Sequence, residues 1–236
     1  DRKVEVKVTN STFRGMGRAL ESTGTEYVYP ENLSCLVEGN NFESDGYYNN
    51  TISEGMSYIE WSANAVVRNN TFHNTTGNEL KGPACWLRGG CATYEVEGNH
   101  FIGNTDATGE NANQYAPLKI RIGANVNADQ TKAYAANTCN YGADIGKYAE
   151  VVRSTPEQPE TITGQTGYLG KIEGLAYRLP GPTVDNARTV TIAPGVTCYM
   201  KDLPVESTGK LVAKGTKALP IHFIGENGDY SNYIYL

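Results

Sequence analysis

LeuValGluGlyAsnAsnPhe at residues 36–42 is rewritten as ValValArgAsnAsnThrPhe at 66–72 and as GluValGluGlyAsnHisPhe at 95–101. A looser copy, ValThrAsnSerThrPhe, occupies 8–13. The terminal phenylalanines Phe13, Phe42, Phe72 and Phe101 stand 29, 30 and 29 residues apart. A fixed period of this length marks a stacked repeat, in which each copy is one rung and buries its apolar face only against its neighbours.

Each copy carries strand signals broken by a tight corner. Leu36 and Val37, or Val66 and Val67, are β-formers, and a Gly (Gly39, Gly98) or an Asn takes the corner. The Phe then turns back into the interior. Asn40, Asn70 and Asn99 recur two residues before each Phe, so stacking aligns them in one column. There an amide both donates and accepts, and satisfies corner backbone groups that sheet pairing leaves over. TyrValTyr at 27–29, TyrIleGlu at 58–60 and TrpLeuArg at 86–88 keep the same period as a second set, and LeuLysIleArgIle at 118–122 restarts a strand some thirty residues later. ArgAlaLeuGlu at 18–21, AsnThrIleSer at 50–53 and AsnGluLeuLys at 78–81 form a third set.

Three short strands per turn predict an all-β chain: a right-handed parallel β-helix (solenoid) with an irregular excursion and a second short β region. The expected division is rungs over 1–125, an irregular excursion or linker over 126–167, and a second β-helix-type segment over 168–236. The linker is read from lost periodicity and from SerThrProGluGlnProGlu at 154–160. Only Ala143 to Arg153 reads as a candidate helix.

Composition agrees. Gly numbers 26 of 236 residues, and the chain is turn-rich and helix-poor. No run of about 20 apolar residues exists, so no membrane-spanning helix is expected. The net charge of −6, spread without runs, argues against nucleic acid, whose phosphates require a basic face.

The chain has five cysteines, so at least one is free or bonded to another chain. Cys85 and Cys91 are close enough in sequence to close a loop as a disulfide, and two reduced thiols are the equal alternative. Asn-x-Ser/Thr triplets at Asn10, Asn32, Asn49, Asn69 and Asn74 permit glycosylation in a secretory setting. The sequence opens on Asp1 without Met, which points to a processed chain or an excised piece. The expected location is extracellular or at the cell surface.

ThrValThrIleAlaProGlyValThr at 189–197, GlyLysLeuValAlaLysGlyThr at 209–216 and LeuProIleHisPhe at 219–223 resemble the opening coils of secreted right-handed β-helix (pectin-lyase-like) proteins. Here the opening phrase lies late in the chain. Residues 35–123, with ValGluGlyAsnAsnPhe, ValValArgAsnAsnThrPhe, LeuArgGlyGly and ValGluGlyAsnHisPhe, resemble the β-helix of the polysaccharide lyases that include alginate lyases and chondroitinase B. That resemblance implies β-elimination on a uronic-acid polymer. A Lys would abstract the proton beside the carboxylate, an Arg in a Leu-Arg-x-Gly phrase would assist, and a calcium ion would often neutralise the uronate. Arg88 falls on the Arg position. The Lys position falls near Trp61, where no Lys stands, and Arg is too weak an acid to act as the base. Lys81, seven residues before Arg88, is the substitute candidate.

Solvated surface charge is the simpler reading of Lys81 and Arg88. Glu38, Arg68 and Glu97 keep the period, which would set Arg68 between two carboxylates in a surface ladder. Asp45, Glu54 and Glu60 are candidate calcium ligands, against an ordinary acidic surface. His73, His100 and His222 lack metal-ligand spacing. Tyr58, Trp61 and Trp86 are candidate sugar-stacking residues, against simple strand filling.

Two functions follow from different classes. One is a non-catalytic structural or adhesive β-helix, self-assembling end to end or forming one repeat of a larger surface protein. The other is a polysaccharide-active enzyme or carbohydrate-binding β-helix. The expected partners are copies of the chain, Leu236 of one against Asp1 of the next, and a polysaccharide.

Overall fold

The computed structural model describes residues 3–16, 19–23, 33–44, 57–60, 64–74, 84–87, 93–103, 118–121, 125–126, 136–140, 148–152, 166–179, 189–200, 202–205, 208–225 and 233–235. Within them the chain is all strand and turn, with no helix.

The first rung consists of β1 (Val4–Thr9), β2 (Thr12–Arg14) and β3 (Leu20–Thr23). The second is β4 (Leu33–Glu38), β5 (Asn41–Ser44) and β6 (Ser57–Glu60), and the third is β7 (Asn64–Arg68), β8 (Thr71–Asn74) and β9 (Cys85–Leu87). The fourth is β10 (Thr93–Glu97), β11 (His100–Ile102) and β12 (Leu118–Arg121), and the fifth is β13 (Asn125–Val126), β14 (Thr138–Cys139) and β15 (Tyr148–Val152). Beyond these come β16 (Thr166–Leu169), β17 (Ala176–Leu179), β18 (Thr189–Ile192), β19 (Thr197–Met200), β20 (Asp202–Pro204), β21 (Lys210–Ala213), β22 (His222–Gly225) and β23 (Tyr233–Tyr235).

Equivalent strands stack into parallel sheets, as a β-solenoid requires. One face runs β1-β4-β7-β10-β13, the second β14-β11-β8-β5-β2, and the third β22-β19-β17-β15-β12-β9-β6-β3. β16 lies beside β13 and begins a further parallel sheet, β16-β18-β21, while β20 pairs with β23. The third face is one unbroken ladder from β3 to β22, so the stretches expected to be separate segments share a single stack.

Alternation along the strands fixes which side faces in. In β4 the pattern buries Leu33, Cys35 and Val37, and their register partners Ala65 and Val67 are buried on β7. A one-residue slip would turn this whole set to solvent, so the pattern fixes the register. The phenylalanines provide the most visible stack. Ring centroids lie 5.0 Å apart for Phe13–Phe42, 4.9 Å for Phe42–Phe72 and 5.3 Å for Phe72–Phe101, with the planes within 9° of parallel. Phe42, Phe72 and Phe101 are buried, and Phe13, with a neighbour on one side only, is half-buried.

Three expectations need correction. First, the repeat does not end after Asn125: β13, β14 and β15 continue all three faces. Cys139 stands opposite Phe101, and Asn137 takes the place of the recurring Asn. What is lost in the fifth rung is the phenylalanine. Second, Tyr148–Val152, inside the candidate helix at 143–153, is a strand that pairs with β12 on one side and β17 on the other. Tyr and Val suit a pleated surface, and two open edges supply its hydrogen bonds. Third, Leu20 to Thr23 pairs with Ser57 to Glu60, so it belongs to the position assigned to 27–29. The insertion between β5 and β6 is longer than its counterpart in the first rung, and equal counting from Phe fails across it. Residues 27–29, 50–53 and 78–81 lie outside the described residues.

Candidate functional surfaces

At the corner before each Phe, and before Cys139 in the fifth rung, the backbone enters the left-handed region: φ is 50° at Asn10, 68° at Gly39, 56° at Asn69, 64° at Gly98 and 55° at Ala136. Gly reaches this region without penalty and Asn is the best-tolerated side-chain residue there. The alternation of Asn and Gly also has a packing cause. A Cβ on Gly39 would meet Asn10 Oδ1 at 2.6 Å, and one on Gly98 would collide with Asn69 Oδ1. Each Asn therefore lies over a rung that offers it a bare glycine.

One residue further on, the amides form the expected column, and it has a member the sequence reading missed. The Asn40 backbone N–H and Nδ2 both donate to Asn70 Oδ1, at 2.9 and 3.1 Å. Asn70 does the same to Asn99 Oδ1 at 3.0 Å each, and Asn99 to Asn137 Oδ1 at 2.8 and 3.0 Å. In return each Nδ2 donates one rung back to a carbonyl: Asn40 to Val8, Asn70 to Val37, Asn99 to Val67 and Asn137 to Val96. All four asparagines are buried, and each of their side-chain oxygens and nitrogens has a hydrogen-bond partner. The first rung ends the column with Ser11, whose N–H donates to Asn40 Oδ1 at 3.0 Å. The signal for Asn137 was present in AlaAsnThrCysAsn at 136–140, a copy of the phrase with Cys in place of Phe.

On the outer side, Arg68 makes a two-pronged contact with Glu38, Nε to Oε1 at 2.8 Å and a terminal nitrogen to Oε2 at 3.3 Å. Glu97 is its register partner on the next rung. The hydrogen bond to Glu38 raises the Arg68 pKa above its ordinary value, burial opposes this, and the charges of Glu38, Glu95 and Glu97 add to the rise. Of the expected ladder, the Arg68–Glu38 pair is formed and Glu97 stands beside it in register; partial exposure keeps the pair's worth below about 1 kcal/mol.

Four cysteines, Cys35, Cys85, Cys139 and Cys198, are buried. Burial pushes the thiols of Cys85 and Cys198 up from 9.0 to about 12 and raises Cys35 as well. Such thiols stay protonated at neutral pH and fill space as small apolar groups. Ser57 Oγ is buried without a hydrogen-bond partner of good geometry; its nearness to the Cys85 thiol only partly offsets the burial penalty there. Cys91 lies outside the described residues, so the Cys85 thiol is described without it.

The remaining site candidates divide by place. Lys81, Arg88, Trp61, Asn32, Asn49, Asp45 and Glu54 lie outside the described residues. Tyr58 and Trp86 are register partners on β6 and β9, and Lys119 follows them on β12. Glu60 ends β6 and Asn74 ends β8. Asn10 and Asn69 are exposed at their corners. Among the described residues, no group of three or more His, Cys, Asp or Glu side chains is placed to hold a metal ion. No described helix is long and apolar enough to cross a membrane.

No protein-family model matches this chain, and neither a curated protein nor a solved structure does. The likeness of residues 35–123 to uronate lyases thus rests on those residues alone.

Proposed function

We infer that this chain is a non-catalytic structural or adhesive β-solenoid acting outside the cell, where its task is to hold a long, stiff surface in place. The observation that carries this reading is the unbroken interior column from Ser11 through Asn40, Asn70 and Asn99 to Asn137. Fully satisfied buried networks rigidify a structure and specify one arrangement, and here the most elaborate chemistry described is spent on joining rung to rung. The exposed sequons at Asn10 and Asn69 suit an extracellular setting, and the right-handed sense follows the general preference of parallel crossovers.

The second reading is a polysaccharide-active or polysaccharide-binding β-helix. It is favoured by the register that sets Tyr58 beside Trp86 on adjacent rungs. One experiment separates the two: absorbance at the wavelength of the unsaturated uronate product, on alginate, chondroitin and pectin. The structural reading expects no turnover on any of them. Turnover that disappears in Lys81→Ala or Arg88→Ala would replace it with the lyase.

A further inference from the structure

The corners carry asparagines of two kinds, and the fold uses them differently. Asn40, Asn70, Asn99 and Asn137 are buried, and each spends its amide on the neighbouring rungs. Asn69, one residue before Asn70, is exposed, and its side chain has no hydrogen-bond partner among the described residues. Asn10 occupies the same corner position in the first rung and is exposed in the same way.

The residue two positions further on separates the two kinds again. After each buried Asn it is a core residue, Phe42, Phe72, Phe101 or Cys139, so no buried Asn opens an Asn-x-Ser/Thr triplet. After Asn10 and Asn69 it is Thr12 and Thr71, which lie beside Phe13 and Phe72 on β2 and β8 and therefore point outward. The triplet thus stands only where the first amide is unspent.

The column also leaves room around Asn69. Register sets it between Gly39 of the rung before and Gly98 of the rung after, and both of those rungs are described. A Cβ on Gly98 would collide with Asn69 Oδ1, so the oxygen arm of the planar amide lies over Gly98 and Nδ2 is the arm turned from that contact. Neither flanking residue has a side chain to crowd a substituent on Nδ2. Asn10 Oδ1 meets Gly39 in the same manner.

We propose that Asn69, and Asn10 two rungs away, are acceptors for an N-linked glycan, and that the glycines of this corner make space for it. Nδ2 attacks the anomeric carbon of an oligosaccharide carried on a lipid diphosphate; the N–C bond forms, the C–O bond to the diphosphate breaks, the lipid diphosphate leaves, and the transferase's base takes one amide proton. Two strand spacings put the acceptors about 10 Å apart along the corner between the first and second faces. The inference rests on the extracellular setting of the structural reading and selects these two from the five triplets of the chain.

Expression of the full 236-residue chain through a eukaryotic secretory pathway tests this. Enzymatic release of N-glycans in heavy-oxygen water converts each occupied Asn to a labelled Asp, which peptide mass spectrometry locates in secreted and cell-retained chain alike. Label is expected at Asn69 and Asn10 and absent from Asn40, Asn70, Asn99 and Asn137. Thr71→Ala should remove it from Asn69 alone, and Thr71→Ser should restore it. The glycosylated chain should unfold in urea cooperatively, at a midpoint equal to or above that of the enzymatically released chain. An unlabelled Asn69 overturns the proposal, and so does a glycosylated chain whose midpoint is lower, since the corner then lacks the space assigned to it. Uronate turnover by a chain labelled at Asn69 would replace the structural reading and leave the acceptor sites standing, whereas an unlabelled chain without turnover would overturn the acceptor sites alone.

Discussion

Asn70 Oδ1 accepts two hydrogen bonds from Asn40, one from its backbone N–H at 2.9 Å and one from its side-chain amide at 3.1 Å, while Asn70 Nδ2 returns a bond to Val37 O at 2.9 Å. One side chain thus satisfies three groups of the preceding rung, all inside the protein. Asn70→Ala should destabilise the chain by about 2–4 kcal/mol, because it leaves a buried N–H and a buried carbonyl unpaired as well as removing the bonds. Ser11→Ala should cost little: the Ser11 hydroxyl donates only to the exposed Thr9 carbonyl, and its backbone N–H keeps Asn40. Urea unfolding of the two variants measures the contrast.

Phe72 lies between two parallel rings and Phe13 against only one. Phe72→Ala should cost about 3–5 kcal/mol, the range for a fully buried aromatic. Phe13→Ala should cost clearly less, because its ring is already half in water. Equal losses in denaturant titration would show that the stack is not what sets the cost.

Gly39 joins two constraints at one atom. A Cβ there would stand 2.6 Å from Asn10 Oδ1, at a φ of 68°. Gly39→Ala should destabilise by about 1–3 kcal/mol. Asn10→Gly in the same chain should recover the part due to the contact and leave the part due to the backbone, which a double-mutant cycle separates. Ala136 supplies the converse case. It holds a φ of 55° with a Cβ, so Ala136→Gly should stabilise by up to about 1 kcal/mol, read as a rise in midpoint.

The buried thiols give the protein an alkaline weakness. Cys85 and Cys198 titrate near 9.0 when unfolded and near 12 when folded, both because burial disfavours the thiolate. Below pH 9.0 both states hold the proton and the groups contribute nothing to pH dependence. As pH rises from 9.0 toward 12 the unfolded chain releases protons that the folded chain keeps, so stability falls by about 1.4 kcal/mol per pH unit per thiol. Midpoints of urea unfolding at pH 7, 9 and 10.5 should decline above 9, and Cys198→Ala should flatten the decline.

The sequence displayed the columns because a residue inside a solenoid touches its own counterpart one turn away. Phe on Phe and Asn on Asn are the cheapest way to make both neighbours compatible, so the contact is written as a repeat. Where the pair is heterogeneous the writing fades. Cys139 follows Phe101 in space, and the fifth rung disappeared from a reading keyed to phenylalanine. The third face was harder still. Its strands are reached through insertions of differing length, so Leu20 meets Ser57 at a separation of 37 residues and Ser57 meets Cys85 at 28. The Cys35 and Cys85 interior was legible only as apolar alternation, with nothing in the spacing to show that the thiols face inward. Lys81 and Arg88 were proposed from resemblance, which names a position without supplying the strand register that would bring two side chains to one substrate.

Because the asparagine column asks each rung only to offer an acceptor to the rung before and a donor back to it, the chain can change length in whole turns. Duplicating or deleting one copy of about thirty residues preserves every junction of amide with amide, and the polypeptide is then longer or shorter by one strand spacing, about 4.8 Å. An insertion of a single residue at a corner would instead break bonds on two sides. Such a molecule is a ruler whose graduations are inherited as units.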